Sequence, residues 1–234
     1  MRYWREVDLP IYRSSYFRVS CFVAMGNCET HNQGRRYTDR GVKTRQKLVD
    51  ALLEIVSSDG LQSASVRAIT RRAGCNEAIL YQHFKNKDQM LRDVFAEIMT
   101  SMAEDKNDLV KEHPQLVDAI LRWVETTYSF YDEHPDAFAY VLLASPPVVR
   151  SPSPLYGRMT KLFADLLDQT EPPQGMCLSR DPLSLNMFRG LLLGVPRAIH
   201  FGSMEGPALQ YSEKTSSAIL RLLLVSADKN SMNK

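Results

Sequence analysis

Apolar residues recur at helical spacing along most of the chain from about residue 44 onwards. Leu48, Leu52 and Ile55 follow one another at intervals of three and four, which places side chains on one face of an α-helix. The same period returns in later segments, and no segment of useful length shows the strict alternation that is typical of a strand. The pattern therefore predicts an all-α fold.

Local signals divide the first part of this pattern into short helices. Ser65 and Asn76 stand where a helix N-cap is expected, and Asn86 stands where it can cap a fourth helix over residues 87–104. Gly74 stands where the C-terminus of a helix needs a left-handed residue. The spacing predicts three short helices followed by a longer one.

The rest of the chain is also expected to be helical. Proline-rich stretches predict loops at residues 145–154 and 170–182, and Pro196 predicts a kink within an apolar helix. A last helix is predicted over about residues 212–227.

The charge is distributed unevenly, although the net charge is only +2. Residues 35–92 hold twelve Lys/Arg and six Asp/Glu, a balance of +6, whereas residues 93–234 hold thirteen and eighteen, a balance of −5. Residues 1–34 hold four and three. A basic segment followed by an acidic remainder indicates that one part of the chain meets a polyanion.

Several classes of protein are disfavoured. No apolar run reaches the length of a membrane span, and no catalytic or dinucleotide-binding fingerprint is present, so we expect no enzyme, no cofactor and no membrane partner. The cysteines show no metal-ligand spacing, so we expect no metal site and reduced thiols in the cytoplasm. They are Cys21, Cys28, Cys75 and Cys177.

The stretch "GCNEAILYQHFKNKDQML", residues 74–91, carries the clearest functional signal. Two short helices joined by a glycine-containing turn form a helix-turn-helix, and the second helix of such a pair lies in the major groove of DNA. Leu80 and Phe84 are expected to face the core, while Tyr81 and His83 face outwards. Lys85 and Lys87 add positive charge at the start of the next helix, where free N–H groups also favour anions.

The sequence "SVRAITRRAGCNEAILYQHFKNKDQML" resembles the DNA-binding domain of the TetR-type, tetracycline-repressor-like transcriptional regulators. The resemblance rests on Gly74, Leu80, Tyr81, His83, Phe84, Lys87 and Leu91 in that order. It implies base and phosphate contacts on the second and third helices. With the outward-facing and basic positions added, the candidate DNA-binding residues are Arg45, Ser65, Arg67, Asn76, Glu77, Ala78, Ile79, Tyr81, Gln82, His83, Lys85 and Lys87.

The same resemblance implies a domain organisation and a function. We expect a disordered arm over residues 1–40, a helix-turn-helix domain over 41–88, and a helical effector-binding and dimerisation domain over 89–230. The expected protein is a bacterial, nucleoid-associated homodimer that binds a pseudo-palindromic operator in double-stranded DNA. It is expected to act as a repressor that a small hydrophobic effector releases; a DNA-organising or cell-division factor of the same fold, without an effector, is the alternative.

Two further sets of residues are candidates in the second domain, and each has a plainer explanation as ordinary packing. Aromatic, Met and His side chains that suit a ligand pocket are Trp123, Tyr128, Phe138, Met159, Phe163, Met187, Phe188 and His200. Residues that suit a dimer interface of the last two helices are Gly190, Leu191, Gly194, Ile199, Ile219 and Leu222.

Some questions stay open at this stage. Glu77 is either a charge that complements the helix dipole or an acceptor for a cytosine amino group, and Ile79 can read only a thymine methyl group. The sequence does not define the effector, the operator or the regulated genes. It also leaves open activation against repression, and whether residues 1–40 belong to the native protein.

Overall fold

The computed structural model describes residues 39–144 and 154–226, and the side chains of residues 40–144 and 161–226. Most of the predicted arm, residues 1–38, lies outside the described part, as does the proline-rich segment 145–153. The first helix begins at Asp39, so the last two positions of the predicted arm are helical.

The described chain is built from helices, which confirms the all-α prediction. Two short 3₁₀ turns, Leu61–Ser63 and Ala208–Tyr211, and one π-helical turn, Ala139–Ala144, supplement them. The α-helices are α1 (Asp39–Asp59), α2 (Val66–Arg72), α3 (Glu77–His83), α4 (Lys87–Glu112), α5 (Leu116–Glu133), α6 (Pro135–Phe138), α7 (Pro154–Gln169), α8 (Pro182–His200) and α9 (Ser212–Leu223).

Three details differ from the predicted pattern. Helix α4 continues to Glu112 instead of ending near residue 104, and α9 ends at Leu223 instead of near residue 227. Two three-residue strands, β1 (Met176–Leu178) and β2 (Leu224–Ser226), pair antiparallel where no strand was predicted. Strands of three residues are too short for alternation to be visible in a sequence.

The predicted helix ends near the turn are confirmed. The side chain of Ser65 accepts a hydrogen bond from the Ala68 N–H at 3.1 Å, and Asn76 accepts from Ile79 at 3.1 Å. Asn86 accepts from Gln89 at 2.8 Å. Gly74 has φ +69°, a left-handed conformation that costs glycine little and other residues more.

The core has two parts, and α4 contributes to both. The first part packs α1, α2 and α3 against the first half of α4 and includes Tyr140, whose hydroxyl donates to the Leu91 carbonyl at 2.7 Å. The second part packs the end of α4, including Leu109, against α5, α7, α8 and α9. Because one continuous helix belongs to both parts, a change in either can reach the other through α4.

Candidate functional site

Helix α3 is held on the first core by its inner face, which leaves its outer face in solvent. Leu80 is completely buried and Phe84 nearly so, and α3 packs on both α1 and α2. Tyr81, one position after the buried Leu80, is 53% exposed. A helix of this width, fixed from behind and free in front, is what the major groove of DNA admits.

Eleven of the twelve candidate DNA-binding residues lie between the N-cap of α2, Ser65, and the first residue of α4, Lys87, and all of these are at least partly accessible. Ile79 is half-buried and packs on the first core, so part of its side chain is withdrawn from any base contact. His83 and Lys87 are also half-buried. The exposed members are Ser65, Arg67, Asn76, Glu77, Ala78, Tyr81, Gln82 and Lys85.

Arg45 does not belong to this surface, and its prediction as a DNA contact is wrong. The residue is 6% exposed, and its guanidinium pairs with the carboxylate of Glu97 on α4. The same guanidinium lies 5.1 Å from the centre of the Phe84 ring. Arg45 therefore connects α1, the end of α3 and α4, and its charge is paired inside the protein.

His83 is held in a form that favours the neutral imidazole. Burial first, and the nearby charge of Arg45 second, lower the pKa of His83 from its usual value of 6.5. A neutral imidazole can still donate one N–H to a phosphate oxygen. The net positive charge of the surface is therefore supplied by residues such as Arg67, Lys85 and Lys87.

A small cavity of about 40 Å³ lies between α4, α5, α7, α8 and the π-helical turn. Trp123 and Phe163, two of the predicted pocket residues, line it, and their rings are 5.7 Å apart between centroids. Apolar side chains that sequence reasoning did not single out form most of the remaining wall: Met99, Met102, Leu142, Leu162, Leu192 and Leu193.

Most of the other predicted pocket residues do not line this cavity. Tyr128 is fully buried and its hydroxyl donates to Thr215 at 3.0 Å, while Phe138 packs edge-to-face on Tyr131. Phe188 stands behind Phe163 with ring centroids 5.0 Å apart. These three are core residues, as the plainer explanation holds.

Three predicted pocket residues remain. Met187 lies on the outer face of α8 and is 48% exposed, so it faces away from the cavity. His200 lies at the end of α8, with its ring against that of Phe201. Met159 belongs to α7, but its side chain lies outside the described part of the structure.

Lys106 and Arg189 also line the cavity, and sequence reasoning missed both. A signal for Lys106 existed in the sequence. The lysine follows Met102 by four residues and precedes Leu109 by three, so it falls on the apolar face of α4, where a lysine is unexpected.

Helix α8 is apolar on two faces. One face, with Phe188 and Leu192, is buried in the subunit. The other carries a row of exposed apolar side chains and glycines at helical spacing, Leu183, Met187, Gly190, Leu191 and Gly194, and the exposed Phe201 follows directly after the helix. Side chains built at Gly190 or Gly194 would meet no atom within 4 Å, which excludes close packing within the described subunit as the reason for these glycines.

The remaining predicted interface residues differ from one another. Ile219 is completely buried in the second core, so its prediction as an interface residue is wrong. Ile199 and Leu222 are half-buried and pack at the edge of the same core.

Over the described residues, no cluster of His, Cys, Asp or Glu has the grouping that a metal ion needs. A search of the same residues finds no helix with the length and apolarity to span a membrane.

The geometry defines a class of protein: a helix-turn-helix DNA-binding domain joined by a shared helix to a helical domain. Residues 48–94 match the family model described as "Bacterial regulatory proteins, tetR family". The match runs from α1 into the first turns of α4, so it covers the helix-turn-helix and not the second domain.

A curated relative supports the match to this family. The nicotine-responsive transcriptional repressor HdnoR of Paenarthrobacter nicotinovorans is 34% identical over 77 residues, which cover 33% of this chain and 36% of HdnoR. The matches to this and other curated relatives span about a third of each relative's length.

Solved structures extend the likeness of fold to most of the chain. A TetR family transcription regulator from Marinobacter aquaeolei VT8 has a TM-score of 0.65 and 21% identity, over 79% of this chain and 97% of the other. The regulator FadR from Bacillus subtilis, solved in complex with stearoyl-CoA, has a TM-score of 0.55 and 14% identity, over 74% and 96%. At these identities the likeness establishes the fold alone.

Proposed function

We propose that this protein is a dimeric transcriptional repressor that binds operator DNA through α2 and α3 and is released by a small-molecule effector. The observation that carries the proposal is the outer face of α3, which is polar and exposed while its inner face is locked into the first core. In this proposal Tyr81, Gln82 and the first turn of α3 lie in the major groove. Lys85, Lys87 and the N–H groups at the start of α4 bind the flanking phosphates.

Dimerisation supplies the second half of the recognition. One short helix contacts few base pairs, so two copies related by a two-fold axis are needed to read a pseudo-palindromic site. The exposed apolar row on α8 supports this helix as the dimer interface, because a large apolar face in solvent marks an interaction site. The glycines at 190 and 194 leave room for a partner helix to approach closely.

The effector mechanism is proposed from the position of the cavity. Met99 lines the cavity and also belongs to the first core, and Leu142 lines the cavity and packs on that core. A ligand that enlarges the cavity has to displace these side chains, and α4 then moves relative to α1 and α3. If the effector binds better to a dimer with a changed separation of its recognition helices, it lowers the affinity for DNA.

The fold neighbour that was solved with stearoyl-CoA supports a small-molecule effector for this fold. It does not supply the identity of the effector here, because 14% identity leaves the pocket residues free to differ.

The test is selection of bound duplexes from a random-sequence DNA pool by the purified full-length protein. The proposal predicts enrichment of one two-fold symmetric sequence with half-sites about one helical turn apart. A pool that stays random after repeated selection, or enrichment that persists when Tyr81 and Gln82 are both changed to Ala, would refute α3 as the recognition element.

A further inference from the structure

Lys106 is a basic side chain in an apolar position. It lies in the second half of α4 and is 7% exposed, although lysine is among the side chains least often buried. The neighbouring positions on the same face of α4, Met102 and Leu109, pack on apolar surroundings. Burying an ammonium group costs free energy unless the group is hydrogen-bonded and paired with an opposite charge.

The hydrogen bonds of Lys106 run to neutral groups. Its Nζ donates to the Trp123 carbonyl at 2.8 Å, to the Thr127 hydroxyl at 2.9 Å and to the Thr126 hydroxyl. The nitrogen also lies 4.9 Å from the centre of a Trp123 ring. These contacts fix the position of the nitrogen, while burial lowers the pKa of Lys106 and the carboxylate of the adjacent Asp105 offsets this only in part.

The cavity beside Lys106 combines this basic nitrogen with an apolar wall. Arg189 on α8 adds a positive charge, and the described lining residues include no Asp or Glu. Most of the wall is Met, Leu and aromatic side chains. Such a site attracts an anion with an apolar body and disfavours a cation.

The cavity is large enough for the charged group of such a ligand but not for its apolar body. About 40 Å³ holds a few waters or one carboxylate group, whereas pockets for whole small molecules measure about 300–1,000 Å³. The apolar body therefore has to displace wall side chains. Met99 and Met102 are suited to this, because unbranched thioether side chains adopt several shapes at small cost.

We propose that the effector is an amphipathic carboxylic acid whose carboxylate pairs with Lys106 beside Arg189 and whose apolar body displaces Met99 and Met102. This inference rests on the proposed function and specifies the chemistry of its effector. It also connects binding to release, since Met99 belongs to the core that holds the recognition helix.

The test uses three probes with the same alkyl chain: decanoate, decanol and decylammonium. Each is titrated calorimetrically into the full-length protein and into its Lys106→Met and Lys106→Gln variants. Lys111→Met is the matched control, since Lys111 lies on the same helix but is exposed and pairs with Asp108 at the surface. Circular dichroism of each variant reports whether it is folded.

The proposal predicts that decanoate binds most tightly to the wild type and decylammonium least tightly. Both Lys106 variants should lose about tenfold or more in decanoate affinity, because a charge-assisted hydrogen bond is removed, and should keep their affinity for decanol. Lys111→Met should bind all three probes as the wild type does. The heat of decanoate binding should also vary with the ionisation enthalpy of the buffer, since pairing draws a proton onto Lys106.

Equal affinities for decanoate and decanol, tighter binding of decylammonium, an undiminished decanoate affinity in folded Lys106 variants, or no binding of any probe would each overturn the inference. DNA selection with the same protein sample separates this result from the fate of the proposed function. If the protein binds DNA sequence-specifically but binds the three probes equally well, the carboxylic-acid effector is rejected and the repressor function is not. Lys106-dependent decanoate binding without sequence-specific DNA binding rejects the repressor alone.

Discussion

At the residue scale, two basic side chains show how partners distant in sequence decide what a charge does. Arg45 stands in a basic segment that suits phosphate binding, yet its partner is Glu97, 52 residues later. Lys106 stands in an ordinary amphipathic helix, yet its hydrogen-bond acceptors lie 17 to 21 residues away on α5. Neither role follows from local spacing, because tertiary packing brings the partners together.

The pair of Arg45 and Glu97 makes a prediction about stability. Burial raises the pKa of Glu97 to about 7 in spite of the Arg45 guanidinium. Replacing Arg45 with Met leaves a buried carboxylate without its partner, and we expect the free energy of unfolding to fall by about 3 kcal/mol near pH 8.

The sign of the pH effect follows from the raised pKa of Glu97. A carboxyl group whose pKa is raised by folding contributes its full stabilisation below the pKa of the unfolded chain, which is 4.5 for Glu97. This stabilisation is lost as the pH rises past the folded value of about 7. The Arg45→Met defect should therefore shrink when urea unfolding is repeated at pH 5, and the double variant Arg45→Met/Glu97→Gln should recover stability at pH 8. A defect that is the same at both pH values would contradict a buried charge pair.

A second prediction concerns Lys106, whose contribution to stability depends on pH in the opposite direction. Burial lowers the pKa of Lys106 from 10.5 to about 7, so between these values the unfolded chain binds the proton and the folded chain does not. Stability contributed by this group therefore rises with pH across that window.

We expect Lys106→Met to be more stable than the wild type by about 1–2 kcal/mol near pH 6, since removing a buried charge is commonly stabilising. The difference should narrow as the pH approaches 10. Denaturant unfolding of both proteins at matched pH values measures it, with Lys111→Met as the control. A wild type that stays less stable by the same amount at pH 10 would rule out titration of Lys106 as the cause.

At the scale of the element, the turn between α2 and α3 is the part that the sequence predicts best. Its caps are hydrogen bonds between a side chain and a backbone N–H three residues later, and the left-handed Gly74 is a property of one residue. All of this information is local. The two-stranded ribbon and the end of α9 were missed because β1 and β2 are 46 residues or more apart in sequence and stabilise each other.

Helix α8 makes a prediction about assembly. Its inner face is used by the subunit, so an apolar outer face indicates a second partner. Replacing Leu191, which is 38% exposed on that face, with Glu should place charges in the proposed interface and shift the proposed dimer to monomer.

Sedimentation velocity measures this shift at a series of protein concentrations. Leu209→Glu is the matched control, because Leu209 is 42% exposed but lies outside α8. A Leu191→Glu variant that sediments as the wild type does, or a Leu209 variant that dissociates equally, would place the dimer interface elsewhere.

At the scale of the whole molecule, the helical class and the exposed outer face of α3 could be predicted from sequence, and the cavity could not. The α3 surface is encoded in a stretch of about twenty residues. The cavity is formed by five segments spread from Met99 to Leu193, and aromatic residues in the sequence do not reveal which of them border an empty space. For example, Phe163 lines the cavity, whereas Phe188, whose ring packs behind that of Phe163, does not.

DNA binding through α3 and the start of α4 is tested by a fluorescence titration of the selected DNA duplex over a series of salt concentrations. Wild type is compared with Lys85→Ala/Lys87→Ala, and with Lys111→Ala/Lys214→Ala, which removes the same charge from exposed positions on α4 and α9. We expect a steep loss of affinity with salt for the wild type and the control. The first variant should bind more weakly, with a salt slope reduced by about one unit for each phosphate-binding lysine. Equal slopes and affinities for all three proteins would contradict DNA binding through this surface.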